Sequence, residues 1–396
     1  MDLKIIAQQL GIAEYPEELD ALYETLPPGD ACDIALIREL EAQYGIFGEF
    51  YPLILETAEK VNADPVCGGW VRAAAQFSMD GDSIQAYRIP EPVYDGSAMN
   101  DLLMLYILLP QIPVSIEIYR KLGFSEEELA DLLGAWKISL QIVRSRTGRP
   151  GINKAYYNWM VHFAKARIFK VNGLQFEVKK LPEQAVWIYN SAANQLVPLM
   201  TGGLFHASGV QRVGSFGYTD ETDAFTPTFS EDDENFYGHG VFNNIVDRQS
   251  KAYPKEQWQC VGRPDETALS MHIPRGADIS AEATLAACHQ AVALARKRYP
   301  ELERSLIQCS SWLLNPTLRQ IQGDTSRITQ FMQCYTKYPN RDPAGSAMFG
   351  FVFNGRPADL TTLPEDTSLR RKLKKLYLEG GCLHSYSGAI YVEESI

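Results

Sequence analysis

The stretch "ALSMHIPRGADISAEATL", Ala268–Leu285, contains the elements that decide the fold. The residues up to Ile273 alternate between apolar and polar, which is typical of a strand with one buried face. A short loop with Gly276 follows, and Ser280 is a typical N-cap for the amphipathic pattern that begins after it. We therefore predict a strand, a glycine loop and a long helix, in that order.

The loop is a candidate anion site, because free backbone N–H groups at the start of a helix can receive a phosphate. The residues predicted to line it are Ile273, Arg275, Gly276, Ala277 and Ser280. The alternative is a capped structural helix, since Asp278 and Glu282 complement the dipole at the same helix end and would repel an anion. The residues alone leave both interpretations open.

The strand itself offers a second set of candidates. Alternation places Ser270 and His272 on its polar face, with His272 near the carboxyl end, where ligands tend to bind in open sheets. A second alternating run, "SLIQCSSW", places Gln308, Ser310 and Trp312 on one face and predicts that they line a binding site. For Trp312, simple packing in the core is the competing interpretation.

The organisation of the chain indicates an α+β protein with an all-helical N-terminal domain, 1–150, and a mixed-sheet domain, 151–396. Apolar residues recur every three or four positions in the first part. Ser125 with Glu128 is a capping-box signature for one of its helices, and Gly148 is a plausible stop. The basic stretch "RTGRPGINKA", 146–155, has two glycines and a proline and is interpreted as a linker.

Turn and strand signals dominate the second part. Asn172-Gly173 predicts a hairpin in which Phe169 and Phe176 share one face and Gln175 the other, which makes Gln175 a further ligand candidate. Other predicted strands are "TALSMHIP", "RSLIQCSSW", "AMFGFVFNG" and a possible edge strand, "GAIYVEE" at 388–394. The region 216–240 has seven Asp and Glu residues and no clear period, and it is interpreted as a solvated loop or flap.

Composition and motifs exclude several classes of function. A net charge of −12 and a pI near 5.1 argue against a nucleic-acid partner. Residues 102–116 form a 15-residue uncharged stretch with two prolines, which we interpret as a buried core helix without a membrane role. Seven scattered cysteines and no secretion signal favour a reduced cytoplasmic protein without a metal site. The motifs of α/β-hydrolases, zinc proteases, P-loop enzymes and Rossmann dehydrogenases are missing from the sequence.

Five stretches in a fixed order resemble a known family. They are "ARIFKVNGLQFEV", "YGHGV", "LSMHIPRG" before a long helix, "SSWLLNP" and "SRITQFMQCY", all between residues 155 and 340. They resemble a bacterial acyltransferase-like family with a helical N-acyltransferase N-terminal domain and a GNAT-like C-terminal domain. The resemblance implies a GNAT-type mixed sheet and transfer of an acyl group from acyl-CoA to a small-molecule amine.

The resemblance also implies where coenzyme A would bind. In GNAT enzymes the pantetheine lies between two splayed strands and the pyrophosphate on the next loop, which corresponds here to "SMHIP", "LIQCSSW" and "RGADIS". This sequence lacks the usual [QR]-x-x-G-x-[GA] motif at that loop, and "QRVGSF" at Gln211 departs from it at Phe216. His272 and His239 are the candidate general bases, because the unperturbed pKa of histidine suits proton transfer near neutral pH.

Two other functions remain compatible with the residues. The missing phosphate-loop motif favours a non-catalytic GNAT-like module that binds a ligand or a protein. The acidic run from Asp220 to Glu234 favours an enzyme that attracts a small cationic substrate without coenzyme A. A strong dependence of KM on salt concentration would support the cationic substrate.

Overall fold

The computed structural model describes residues 1–93 and 97–393. The chain forms two compact units, Met1–Phe169 and Lys170–Ile396. The first is helical up to the strand that begins at Ile168, and the second contains strands and helices in one mixed fold. The α+β class is therefore confirmed, while the domain boundary after residue 150 stays a prediction.

The first unit is built around long apolar helices. Its helices within the described residues are α1 (Leu3–Gln9), α2 (Glu18–Thr25), α3 (Ile34–Tyr44), α4 (Tyr51–Ala63), α5 (Pro65–Asp80), α6 (Ser83–Ala86), α7 (Ala98–Leu108), α8 (Gln111–Lys121), α9 (Glu126–Thr147) and α10 (Lys154–Ala164). The predicted capping box is present at α9, where Ser125 and Glu128 exchange hydrogen bonds, and Gly148 ends the helix in the left-handed conformation.

The apolar stretch predicted as a core helix forms α7 and the start of α8. Residues 102–109 are at most 1% exposed, which places them in the core of the first unit. The helical segment Met99–Lys121 is longer than the 15 uncharged residues indicated, and its length and mean hydropathy of 1.6 would suffice to cross a membrane. Because 72% of its most apolar window is buried inside the protein, burial in the core of the first unit accounts for the same composition.

A six-stranded sheet forms the centre of the second unit. Its strands are β1 (Ile168–Val171), β2 (Leu174–Lys180), β10 (Thr267–His272), β11 (Leu306–Ser311), β12 (Thr336–Pro339) and β13 (Tyr386–Tyr391), in the spatial order β1-β2-β10-β11-β13-β12. The predicted turn joins β1 to β2, with Asn172 and Gly173 both at positive φ. The strand predicted at 388–394 is present as β13, but its predicted position at an edge is wrong, because β13 lies between β11 and β12; Glu394 is outside the described residues.

A second sheet covers one face of the first. Its strands are β3 (Ala185–Asn190), β4 (Gln195–Met200), β5 (Phe229–Glu231), β6 (Asn235–Phe242), β7 (Ile245–Val246), β8 (Lys251–Pro254) and β9 (Gln259–Gly262). Ala268, Leu306 and Ala389 of the first sheet pack against Trp187 and Met200 of the second. The prediction of an irregular loop over 216–240 is therefore wrong for residues 229–231 and 235–240, which belong to strands.

Helices complete the second unit. They are α11 (Ala281–Arg298), α12 (Thr317–Gln322), α13 (Arg327–Gln333), α14 (Ala347–Val352) and α15 (Ser368–Leu378). The strand predicted for "AMFGFVFNG" is wrong, since Ala347–Val352 is a helix. Met348 and Phe349 of this helix are both buried in a small cluster with Tyr377 of α15. Two buried residues next to each other in sequence fit a helix that packs against another helix.

A buried lysine gives the second unit a pH-dependent stability. Lys337 on β12 is 8% exposed and donates to the carbonyl of Met332 at 3.1 Å. Burial lowers the pKa of Lys337 to about 8, opposed by the nearby Cys334 thiol. In the unfolded chain the amine stays protonated up to about pH 10.4, so unfolding takes up a proton between these values and stability must rise with pH over that window.

Lys337→Met is therefore expected to stabilise the protein at pH 7 by about 3 kcal/mol, with the gain shrinking as the pH rises from 8 to 10.5. Urea unfolding of both proteins at several pH values measures the difference. The exposed Lys297→Met is the matched control, because its side chain stays in water. A gain that does not change with pH would contradict the assignment.

Candidate active site

The pairing between β10 and β11 stops before either strand ends, and the gap that this leaves at their carboxyl ends is called the cleft below. The two strands run parallel and are in register through two pairs, Leu269 with Ile307 and Ser270 with Gln308. After these pairs β10 continues along β2, and β11 continues along β13. Backbone N–H and C=O groups that face such an opening require partners, which an extended ligand with amide groups can supply.

His272 lies at the end of β10, beside this cleft. It is in register with Gln175 of β2, and its Nε2 lies 3.2 Å from Oε2 of Glu177. The carboxylate is 1% exposed, whereas the imidazole is 28% exposed. In the neutral tautomer that donates Nε2–H to Glu177, Nδ1 carries the lone pair. Glu177 can therefore orient the imidazole of His272 so that its Nδ1 accepts a proton.

Three of the predicted lining residues share the face of His272. Gln175 is buried, Gln308 donates to the carbonyl of Lys180 at 3.4 Å, and Ser310 is exposed near the end of β11. The amide of Asn340 donates to Oγ of Ser310 at 2.8 Å. The cleft side of the sheet is thus polar and reachable from solvent at Ser310.

Trp312 lies apart from these residues. β11 ends at Ser311, and Trp312 begins a 3-10 turn that ends at Leu314. Its side chain is 7% exposed and packs with Leu318 and Met348 in the small cluster of α12, α14 and α15. Side chains alternate between two faces only within the strand. Trp312 lies beyond the end of β11, so its side chain does not join the row of Gln308 and Ser310.

The glycine loop connects β10 to α11. Gly276 has φ +87°, and no atom lies within 4 Å of the position that a Cβ would take. Arg275 is exposed and has no hydrogen bond or ion pair among residues 1–93 and 97–393. Ile273 and Ala277 are half-buried, and Ala277 closes a turn by donating to the carbonyl of Pro274 at 3.2 Å. The loop thus presents open space beside an available guanidinium.

The start of α11 is capped as predicted. Oγ of Ser280 accepts from the N–H of Ala283 at 3.3 Å. Asp278 accepts from the N–H of Ser280 at 3.0 Å, and this hydrogen bond holds the pKa of Asp278 below its usual range. Arg327 lies 4.0 Å from the same carboxylate and offsets part of its charge. The negative charge at this helix end is therefore partly compensated.

His239 occupies a different layer from His272. It lies in β6 of the second sheet and is 9% exposed, so the prediction of a flexible loop around it is wrong. Its Nδ1 donates to the carbonyl of Asp247 at 2.9 Å, and its ring stacks on Phe225. These contacts fix the tautomer and leave Nε2 as the lone-pair nitrogen.

Glu177, Asn340 and Arg212 are not among the site residues predicted from the sequence. Strand alternation carries a signal for Glu177, which follows Gln175 by two residues in β2. Asn340 and Arg212 lie in loops without a period, and only the fold brings them to the sheet. No cluster of three or more His, Cys, Asp or Glu side chains that could hold a metal occurs in the described parts of the chain.

Two cavities are lined by residues of the first unit and not by β10 or β11. One of about 1000 Å³ and one of about 530 Å³ border α1 and α2 in the first unit. The larger is lined by Glu14, Glu17 and Asp20, a carboxylate-rich wall that would repel an anionic ligand.

Comparison with solved structures finds the same fold over almost the whole chain. An acyltransferase in complex with decanoyl-CoA matches with a TM-score of 0.64 at 16% identity, covering 99% of this chain and 100% of that chain. An acyltransferase in complex with CoA and 10C-teicoplanin matches with a TM-score of 0.62 at 18% identity and the same coverage. No curated protein matches the chain. At these identities the likeness establishes the fold.

Comparison with protein families gives a match over the second unit. Residues 168–390 match the family described as GNAT-like C-terminal domain. The match begins at β1, includes both sheets and the cleft between β10 and β11, and ends in β13. Since it spans more than half of the sequence, the chain belongs to the family of proteins with a GNAT-like C-terminal domain.

Proposed function

We propose that this protein is an acyl-CoA-dependent N-acyltransferase that moves an acyl group to a small-molecule amine in the cytoplasm. The observation that carries the proposal is the cleft between β10 and β11, followed directly by the Arg275–Gly276 loop at the start of α11. The fold shared with acyltransferases that were crystallised with CoA or decanoyl-CoA supports the same ligand.

The residues of the loop suit the phosphates of coenzyme A. Arg275 has a guanidinium without a competing carboxylate among the described residues, and guanidinium groups bind phosphate through two parallel hydrogen bonds. Gly276 leaves open space, so a pyrophosphate can approach the backbone closely. The pantetheine arm would then run into the cleft, where the open backbone edges of β10 and β11 pair with its amides.

We assign the proton transfer to His272. Its imidazole accepts a proton from the attacking ammonium of the acyl acceptor, and Glu177 stabilises the imidazolium that forms. The amine nitrogen then bonds to the thioester carbon, the carbon–sulfur bond breaks, the leaving thiolate takes the second proton of that nitrogen, and the imidazolium of His272 releases the first proton to solvent. Backbone N–H groups at the cleft polarise the carbonyl oxygen during this step. His239 is the second candidate for the base, because its Nε2 is held as a lone-pair nitrogen.

Calorimetric titration with decanoyl-CoA, acetyl-CoA and free CoA tests the proposal. We expect micromolar binding that requires the nucleotide half, because the loop contacts are to phosphates. Positive binding would justify a screen of amines, with released CoA measured by chromatography.

Absence of binding up to millimolar CoA would contradict acyl-CoA-dependent transfer. In that case the protein would instead be a GNAT-like module that binds another ligand or a protein partner through the same sheet. The fold would be unaffected by this result.

A further inference from the structure

A half-buried arginine in the second unit has no anionic partner. The side chain of Arg212 makes no hydrogen bond or ion pair with any described residue, and its Nε is buried without an acceptor. Burying a guanidinium without a partner is costly, and proteins usually satisfy such groups with a carboxylate or a bound anion. Arg212 therefore points to an anionic ligand.

The surroundings of Arg212 hold its guanidinium in place but do not neutralise it. Gly203 has φ +90°, and a Cβ at this position would overlap the guanidinium. The ring of Phe205 lies 5.6 Å away, and Arg341 adds a second positive charge nearby. Burial and Arg341 both lower the pKa of Arg212, while burial raises the pKa of Tyr338 to about 12, so that this neighbouring phenol is neutral.

Arg341 is available for the same ligand. It is exposed and has no hydrogen bond or ion pair among residues 1–93 and 97–393. The adjacent carboxylate of Asp342 is already engaged, since its two oxygens accept from the N–H groups of Gly345 and Ser385. Arg341 is thus close enough to affect the charge of Arg212, while the carboxylate of Asp342 is held by backbone N–H groups.

A chain of contacts connects these arginines to the cleft. Tyr338, next to Arg212, is in register with Ser387 of β13, which is in register with Ser310 of β11. The Asn340 amide donates to both serine hydroxyls at 2.8 Å. Arg212 therefore lies beside the same polar sheet face as the cleft, about two strand spacings from β11, which is roughly 10 Å.

A further polar atom on this face has no partner among the described residues. Oδ1 of Asn340 is buried without a donor, although the NH₂ group of the same side chain donates to Ser310 and Ser387. A buried carbonyl oxygen of this kind can accept an N–H group of a ligand. The path from the cleft to Arg212 thus offers an acceptor for an N–H group and ends at positive charge.

We propose that Arg212 and Arg341 bind a carboxylate of the acyl acceptor, roughly 14 Å from its reacting amine, because three strand spacings separate His272 on β10 from Tyr338 on β12. This inference rests on the proposed function and names its substrate class: an amine that also carries a carboxylate at the distance spanned by roughly four peptide units. The guanidinium of Arg212 holds the carboxylate through paired hydrogen bonds, and Asn340 accepts an N–H on the way.

The test compares two product analogues that differ only in charge. N-decanoyl-tetraglycine and its C-terminal amide are titrated by calorimetry into the full-length protein, without any need for turnover. We expect the acid to bind about ten- to a hundredfold more tightly than the amide. Arg212→Met should remove this preference. Arg319→Met, which removes an exposed arginine paired with Asp324, should retain it.

Parallel titrations with decanoyl-CoA separate the possible failures. Unchanged decanoyl-CoA affinity in Arg212→Met supports a site for the acyl acceptor, whereas a tenfold loss would assign the arginines to a phosphate of coenzyme A and overturn the inference. If the protein binds decanoyl-CoA but binds the acid and the amide equally well, the carboxylate site is overturned and the proposed function is not. An acid preference without decanoyl-CoA binding keeps the site and overturns the proposed transfer.

Discussion

Gly276→Asp is expected to weaken the binding of decanoyl-CoA by more than a hundredfold while the fold is retained. The residue has φ +87° and no neighbour within 4 Å of a Cβ, so a side chain there meets solvent. The new carboxylate would stand where the pyrophosphate approaches the backbone. Repulsion between charges about 4 Å apart at the edge of a protein amounts to a few kcal/mol, which exceeds the two factors of ten required.

Gly276→Asn is the matched control for this prediction. Asparagine has nearly the same shape as aspartate and tolerates positive φ about as well, but it carries no charge. We expect its decanoyl-CoA affinity to stay within about fivefold of the wild type. Calorimetry gives the affinities, and thermal unfolding verifies that both variants are folded. Equal losses in both variants would assign the effect to backbone strain and contradict a phosphate site at this loop.

His272→Ala is expected to lower kcat by about 10²- to 10⁴-fold with little change in decanoyl-CoA affinity. The reason is that the imidazole beside Glu177 takes the proton of the attacking amine, whereas the phosphates bind at the neighbouring loop. The rate is measured as CoA released with an amine found in the screen. Added imidazole should restore part of the activity, a result that a purely structural role does not predict.

His239→Ala provides the comparison within the same protein. Its imidazole is packed on Phe225 and bonded to the carbonyl of Asp247, so the substitution is expected to affect stability more than kcat. A large loss of kcat in His239→Ala with imidazole rescue, and a small loss in His272→Ala, would transfer the role of the base to His239.

Five of the six strands of the central sheet, all except β12, could be predicted because their sequences carry period-two patterns or strong turns. Ala268–Ile273 and Ser305–Ser311 alternate, and Asn172-Gly173 specifies a two-residue hairpin. Most of the second sheet lacked such signals. β3 is buried on both faces, which removes the alternation. β6 contains Gly238 and Gly240, and glycines are typical of loops rather than of strands. In this strand Gly240 leaves room for the hydroxyl of Tyr253.

The residues of the candidate site also fall into those that a strand pattern predicts and those that only the tertiary structure brings together. His272, Ser310 and Gln308 follow from strand alternation, because alternate residues of a strand share a face. Arg212 and Asn340 belong to segments whose positions are set by tertiary contacts, for example the hydrogen bond from the N–H of Phe216 to the carbonyl of Asp342. Local sequence patterns contain no information on such pairings between residues more than a hundred positions apart.

The position of β13 also has a consequence for how the protein folds during synthesis. β11 and β12 are made well before Tyr386–Tyr391, yet β13 must be inserted between them. Until the ribosome has produced these residues, β11 and β12 each expose an unpaired strand edge, and such edges promote aggregation. We therefore expect a chain terminated before residue 386 to be insoluble when expressed, even though the cleft residues of β10 and β11 are already present.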